Sequence, residues 1–222
     1  MVVGAICALI FLGMSFFGLS QQVALFLAIL SGVIATGALH EDGLADTADG
    51  LGAGKSREHS LTIMKDSTIG SYGAIALIAA LILRLTLYSD VFANDMGGFS
   101  ATVLIASTFV AAHAVSRGAM VMIVWSLPYA REAESAKVPP LSEPPTKVGV
   151  LVAVAITIIS VIPVAIIFGV GAGIVGIGVA IGAMLGLRLL FDRKLQGWTG
   201  DTAGATQQMS EISFLLAVTA WT

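Results

Sequence analysis

The sequence is short of cysteine, of charge and of basic clusters, and each shortage excludes something. Cys7 is the only cysteine and lies in an apolar run, so no intramolecular disulfide can form and the thiol reads as a small core group. Charged residues make up 11% of the chain, against about 25% in soluble domains. With 57% hydrophobic residues and a mean hydropathy of +0.95, the composition is that of an integral membrane protein. Lys and Arg nowhere interleave with aromatics in a patch, so nucleic acid is not an expected partner. The start of the chain has neither a basic flank nor a small-residue cleavage site. Residues 2–19 therefore read as a first span and not as a secretory signal, with an upstream flank that is very short or missing. The net charge of −3 says little, because the charges sit in a few connections.

What the chain has in quantity is apolar runs of spanning length. About twenty residues at 1.5 Å rise cross roughly 30 Å of hydrocarbon. Seven runs qualify: 2–19, 23–39, 72–87, 99–125, 148–170, 174–190 and 201–221. Backbone amides in lipid need internal partners, so each is predicted helical. The fold class is all-α: a polytopic helical bundle of about seven transmembrane helices, one domain over residues 1–222. Connections 20–22, 89–98 and 171–173 carry no Lys or Arg, and Asp90 and Asp95 sit in the second. Connections 40–71, 126–147 and 191–200 hold Lys55, Arg57, Lys65, Arg131, Lys137, Lys147, Arg193 and Lys194. Basic connections stay cytoplasmic, which places the polar motifs on the cytoplasmic side. Four of the six prolines fall within 139–145 and predict an extended connection there, while Pro163 invites a kink. The glycines at 169, 171, 173, 176, 178, 182 and 186 suggest close helix contacts.

The densest chemistry is in residues 40–50, HEDGLADTADG, with four acidic residues, one histidine and two glycines. In a helix, Asp42, Asp46 and Asp49 stand at i, i+4 and i+7, within about 60° of arc. Three like charges on one face repel. A divalent cation removes that penalty, and hard carboxylate oxygens suit Mg²⁺ together with substrate phosphates. The plain alternative is a solvated acidic loop.

Other polar stretches follow. In MKDSTIGSYG, residues 64–73, Lys65 offers a point charge and Ser67 a hydroxyl to a phosphate; the ordinary role for such a lysine is an interfacial anchor. His113 and Arg117 share a helix face inside the fourth run, where ionisable groups are functional candidates. Their ordinary roles are a satisfied buried histidine and a snorkelling arginine. Asp201, in GWTGDTAGA at 197–205, can cap or open a helix, or supply a fourth carboxylate.

These motifs in this order, with AHAVSR at 112–117 and PYAR at 128–131, resemble the cobalamin synthase family, the adenosylcobinamide-GDP ribazoletransferases. The resemblance covers nearly the whole chain. It departs at the start, where such proteins usually carry a polar segment before the first span, and at Gln208, where the family pattern is often acidic. It implies transfer of the adenosylcobinamide-phosphate group from adenosylcobinamide-GDP to α-ribazole or its 5′-phosphate. The products are adenosylcobalamin or its phosphate, and GMP. It implies Mg²⁺ as cofactor and the bacterial inner membrane as location. On the residues, Asp42, Asp46 and Asp49 are expected to hold metal, with Asp201 as a further ligand, and one of them or His40 to take the proton of the attacking hydroxyl. Lys65, Ser67 and Arg117 are expected to hold phosphate. The expected partners are these small molecules and the lipid bilayer, with oligomerisation left open. Two rivals stand beside this reading. A CDP-alcohol-type phosphotransferase carries DG-x-x-AR, from which Asp42-Gly43-Leu44-Ala45-Asp46 is one residue short and lacks the arginine. An ion or metal transporter places its site near the midplane on broken helices and often shows repeats, and no repeat is found here.

Overall fold

The structure, a computed structural model, describes residues 1–93, 101–131 and 144–221. Nine helices run through them: α1 (Val2–Phe16), α2 (Gln21–Ala35), α3 (Leu39–Ala53), α4 (Arg57–Ile63), α5 (Ser71–Ala93), α6 (Ala101–Ser126), α7 (Lys147–Phe168), α8 (Val170–Leu195) and α9 (Gly200–Trp221). Asp95, Phe99 and Lys137 lie outside the described residues, as does most of the predicted proline-rich connection.

Each apolar run becomes a helix, but length and hydropathy carry a smaller count of crossings than seven. Four helices, α5 through α8, are long and apolar enough to span, and a fifth span results if α2 and α3 are taken as one. Three physical reasons account for the difference. The first helix has 15 residues and is short for the hydrocarbon thickness. The second run breaks four residues before the predicted end. Gly37 and Ala38 adopt left-handed φ values of 62° and 57°, and α3 leaves α2 at 84°. The third reason is α9, whose polar residues turn inward. Asp201, Thr202, Thr206, Gln207, Gln208, Ser210 and Glu211 are all buried, because α3, α5, α6 and α8 pack around this helix and shield it from lipid. A helix at the centre of a bundle can be polar where one in lipid cannot.

The outer helices show the reverse. On α7 and α8, Leu151, Ile158, Ile162, Ile166, Ile174 and Ile181 point outward as a lipid-facing surface. Only part of the glycine stripe is used for packing. A methyl group on Gly173 or Gly176 would meet Val161 at 3.0 Å or Phe214 at 2.8 Å, and one on Gly171 would run into Trp221. At Gly178, Gly182 and Gly186 it would meet nothing within 4 Å among the described residues, so these glycines make no close helix contact there. Approaches to a neighbouring backbone occur elsewhere. A Cβ on Gly4 would lie 2.6 Å from the Phe109 carbonyl, and one on Gly43 2.7 Å from that of Asp201, so α1 on α6 and α3 on α9 pack backbone to backbone. The α7 helix continues through Pro163 to Phe168.

Three connections meet at one end of the bundle. Arg57 Nε donates to the Leu195 carbonyl at 2.8 Å and Nη2 to the Ala130 carbonyl at 2.6 Å. One guanidinium thus ties α4 to the ends of α6 and α8. Tyr129 and Trp198 form a short parallel bridge, with Ala130 N–H on the Trp198 carbonyl at 2.8 Å and Trp198 N–H on the Pro128 carbonyl at 2.9 Å. A side chain at Gly197 would run into the Pro128 carbonyl.

Candidate active site

The acidic motif is helical, as its spacing predicts, and its first two turns face a cavity of about 370 Å³. Asp42 and Asp46 line it together with Glu41. The turn after α4 lines it too, with Lys65, Asp66 and Ser67. That turn is held by Lys65 N–H on the Thr62 carbonyl and Asp66 N–H on the Ile63 carbonyl, both at 3.0 Å. The Asp66 carboxylate accepts from the Thr68 hydroxyl at 2.7 Å and its amide at 2.9 Å. These bonds hold its carboxyl below the usual range. Four predicted residues, Asp42, Asp46, Lys65 and Ser67, are therefore brought together. Glu41 and Asp42 also lie in the first turn of α3, where the helix dipole favours negative charge.

Asp49 shares the face but has other partners. One turn further along, its carboxylate accepts from Gly70 N–H at 2.7 Å and Gly73 N–H at 2.9 Å. These amides open α5, so Asp49 caps that helix from α3. The spacing of the two glycines follows from this. A Cβ at either position would run into the Asp49 carboxylate.

Asp201 lies in the first turn of α9 and is buried. Its Oδ2 accepts from Arg131 Nη2 at 2.9 Å and from the Thr199 hydroxyl at 3.4 Å. The cap itself is Thr199, whose hydroxyl accepts from Thr202 N–H at 3.2 Å while the Thr202 hydroxyl accepts from Thr199 N–H at 2.8 Å. Asp201 thus opens α9 without capping it. His40 is on the far side of α3, in a mainly apolar cavity of about 340 Å³ with Met120, Trp198 and Gly200, and does not line the acidic cavity.

His113 and Arg117 belong to a buried polar network in the bundle. Arg117 Nη1 lies 3.0 Å from His113 Nδ1 and donates to the His113 carbonyl at 3.1 Å. His113 Nδ1 is 3.4 Å from Glu211 Oε2, and its Nε2 is 3.5 Å from Cys7 Sγ. Glu211 pairs with Arg84 at 3.1 Å, and Arg84 with Glu41 at 3.2 Å. Gln207 donates to Glu211 at 2.8 Å and Gln208 to Glu41 at 2.9 Å. Only an amide, not a carboxylate, can make that last bond. Through Glu41 the network reaches the wall of the acidic cavity. Arg117 does not line that cavity. The predicted set thus divides between one cavity and four other environments. Among the described residues no three His, Cys, Asp or Glu side chains are grouped to hold a metal ion by themselves.

The cobalamin-5-phosphate synthase model matches residues 1–219. The chain belongs to this family. Three curated relatives, each named adenosylcobinamide-GDP ribazoletransferase, bear this out. The protein of Azorhizobium caulinodans is 40% identical over 97% of this chain and 79% of its own length. That of Shewanella woodyi is 38% identical over 97% and 80%, and that of Mesorhizobium japonicum 40% over 97% and 78%. No solved structure matches the chain.

In this synthase-family chain, Arg84 and Glu211 are the residues that a search for motifs passes over. Arg84 falls inside an apolar run and Glu211 in a helix read as a span. The signal that finds them is the rule that charge inside a span has a partner.

Proposed function

We propose that this membrane protein is an adenosylcobinamide-GDP ribazoletransferase acting late in cobalamin biosynthesis, with its chemistry in the cavity between α3 and the Lys65–Ser67 turn. The observation that carries the reading is that Asp42 and Asp46 line one cavity together with Lys65 and Ser67. A diphosphate ester needs these two kinds of group. Phosphoryl transfer asks little covalent chemistry of a protein; it asks for in-line positioning and for neutralisation of phosphate charge.

The donor set fits Mg²⁺ bound by one or two carboxylates plus substrate phosphates, the usual arrangement for this ion. Asp42 and Asp46 hold it in this proposal. When bound, it neutralises the diphosphate and polarises its oxygens. Lys65 and Ser67 hold phosphate oxygens. One of the two aspartates accepts the proton of the attacking ribose hydroxyl. The hydroxyl oxygen bonds to the phosphorus on the corrinoid side, the P–O bond to the second phosphate breaks, and GMP leaves with that oxygen. Asp49 and Asp201 act from outside the cavity. Asp49 fixes the start of α5, and Asp201 fixes Arg131.

The reading is tested with detergent-purified protein, adenosylcobinamide-GDP, α-ribazole and Mg²⁺, followed for GMP release. Turnover that disappears with EDTA supports it. Mg²⁺-independent turnover overturns the metal assignment, and no turnover with either α-ribazole or its 5′-phosphate overturns the function.

The site faces the cytoplasm of a bacterial inner membrane in this proposal. Support comes from the convergence of the Lys55–Lys65, Arg131 and Arg193–Lys194 connections at one end. A single cysteine at Lys55, in a Cys7→Ala background, is expected to resist membrane-impermeant maleimide in intact cells and to react after permeabilisation. Labelling from outside reverses the orientation.

A further inference from the structure

A second cavity, of about 620 Å³, adjoins the acidic one and has the opposite character. Lys65 lines both. The second cavity adds Arg57 and Arg131, with Tyr129, Thr62 and one carboxylate, Glu58. Three cations around one space repel unless an anion joins them. Asp201 pairs with Arg131 at 2.9 Å, and Glu58, largely exposed and 3.8 Å from Arg57, offsets part of the remaining charge, which leaves the cations in excess. Arg131 is the telling residue. Its side chain is 5% exposed. Nη2 is taken by Asp201, while Nε is buried without a hydrogen-bond acceptor among the described residues. A buried guanidinium N–H without an acceptor is unfavourable. Beside a cavity that takes a nucleotide-sized molecule, it is a donor prepared for a ligand oxygen.

We propose that Arg131, Lys65 and the rim arginine Arg57 form a phosphomonoester subsite, distinct from the acidic cavity. The proposal rests on the ribazoletransferase reading for its ligands. That chemistry supplies two phosphomonoesters, the 5′-phosphate of the acceptor and the phosphate of departing GMP. The division of labour is electrostatic. Carboxylates with a cation take the diphosphate on one side of Lys65, and guanidinium forks take a doubly charged monoester on the other.

The subsite is read by calorimetric titration of the purified full chain in EDTA, so that no metal–phosphate contact contributes. Two pairs of ligands are compared: α-ribazole 5′-phosphate with α-ribazole, and GMP with guanosine. The phosphorylated member of at least one pair binds about tenfold more tightly or better, in line with one or two charge-assisted hydrogen bonds, and the pair that responds identifies the source. Arg131→Gln reduces that ratio to about twofold or less. Because it is a ratio within one protein, general damage to the fold cancels. Glu58→Gln, at an exposed position, raises the ratio about two- to threefold by removing the opposing carboxylate. Equal affinities within both pairs overturn the proposal, as does a preference that Arg131→Gln leaves intact. Should Arg131→Gln not fold, a Glu58→Gln ratio equal to or below that of the unmodified chain overturns it. Phosphate-dependent binding without any GMP release in the turnover assay overturns the ribazoletransferase reading and leaves the subsite standing.

Discussion

Asp42→Asn and Asp46→Asn are each expected to lower kcat for GMP release by about a thousandfold, the equivalent of roughly 4 kcal/mol of lost transition-state stabilisation. Asparagine keeps the size of the side chain and removes the charge. The two residues stand one helical turn apart on the wall of one cavity, and an ion held by one or two carboxylates plus substrate phosphates depends heavily on each of them. The double variant is expected to be little worse than either single one, since groups that act as a unit are not additive. The half-saturating Mg²⁺ concentration rises in both single variants, and competition with Mn²⁺, followed by its paramagnetic resonance, shows the same weakening without turnover. Near-normal rates with unchanged Mg²⁺ dependence would remove these aspartates from the mechanism. Asp49→Asn makes the contrast. Its carboxylate is committed to two backbone amides, so its loss is expected chiefly in thermal stability, by about 1–2 kcal/mol for a weakened cap.

Arg84→Met is expected to be the most destabilising single substitution in the bundle. Arg84 is 1% exposed and pairs with Glu41 and Glu211 on two different helices. Methionine approximates its volume and leaves both carboxylates in the interior without their cation. Removing one partner of a buried ion pair costs about 3–5 kcal/mol, which in a chain of this size lowers the apparent melting midpoint by about 10 °C. Heating in detergent and counting the monodisperse fraction by size-exclusion chromatography gives that midpoint. Adding Glu211→Gln to Arg84→Met should cost less than Glu211→Gln alone, because the carboxylate it removes has already lost its partner. A midpoint within about 2 °C of the unmodified chain would show that these ion pairs do not hold the helices together.

Local pattern in the sequence foretold the helices, and tertiary geometry decided the rest. Apolar length places α5 through α8 with their ends within about six residues, because lipid imposes the same rule on every span. It overestimates the second run, since Gly37 and Ala38 turn the chain before lipid-compatible composition ends. Helical spacing correctly sets Asp42, Asp46 and Asp49 on one face of α3. Nothing in spacing shows that the start of α5 packs over the third of them, which is why Asp49 and its two glycines read as chemistry and turn out to include a cap. For His40, helix periodicity holds the answer. It stands two residues before Asp42, about 200° around the helix, so it faces the other cavity. Arg117 looks alike in sequence whether it snorkels, binds phosphate or joins an interior network. The structure places it against His113, in the network that includes Glu211.

The balance of that interior network has an electrical consequence. Glu41 and Glu211 are matched by Arg84 and Arg117, so the formal charges of that network cancel. A membrane potential does work of roughly 2.3 kcal/mol on each elementary charge for every 100 mV it crosses, and on a neutral set the opposing forces offset one another. An energised membrane therefore exerts no net pull on this interior set of side chains.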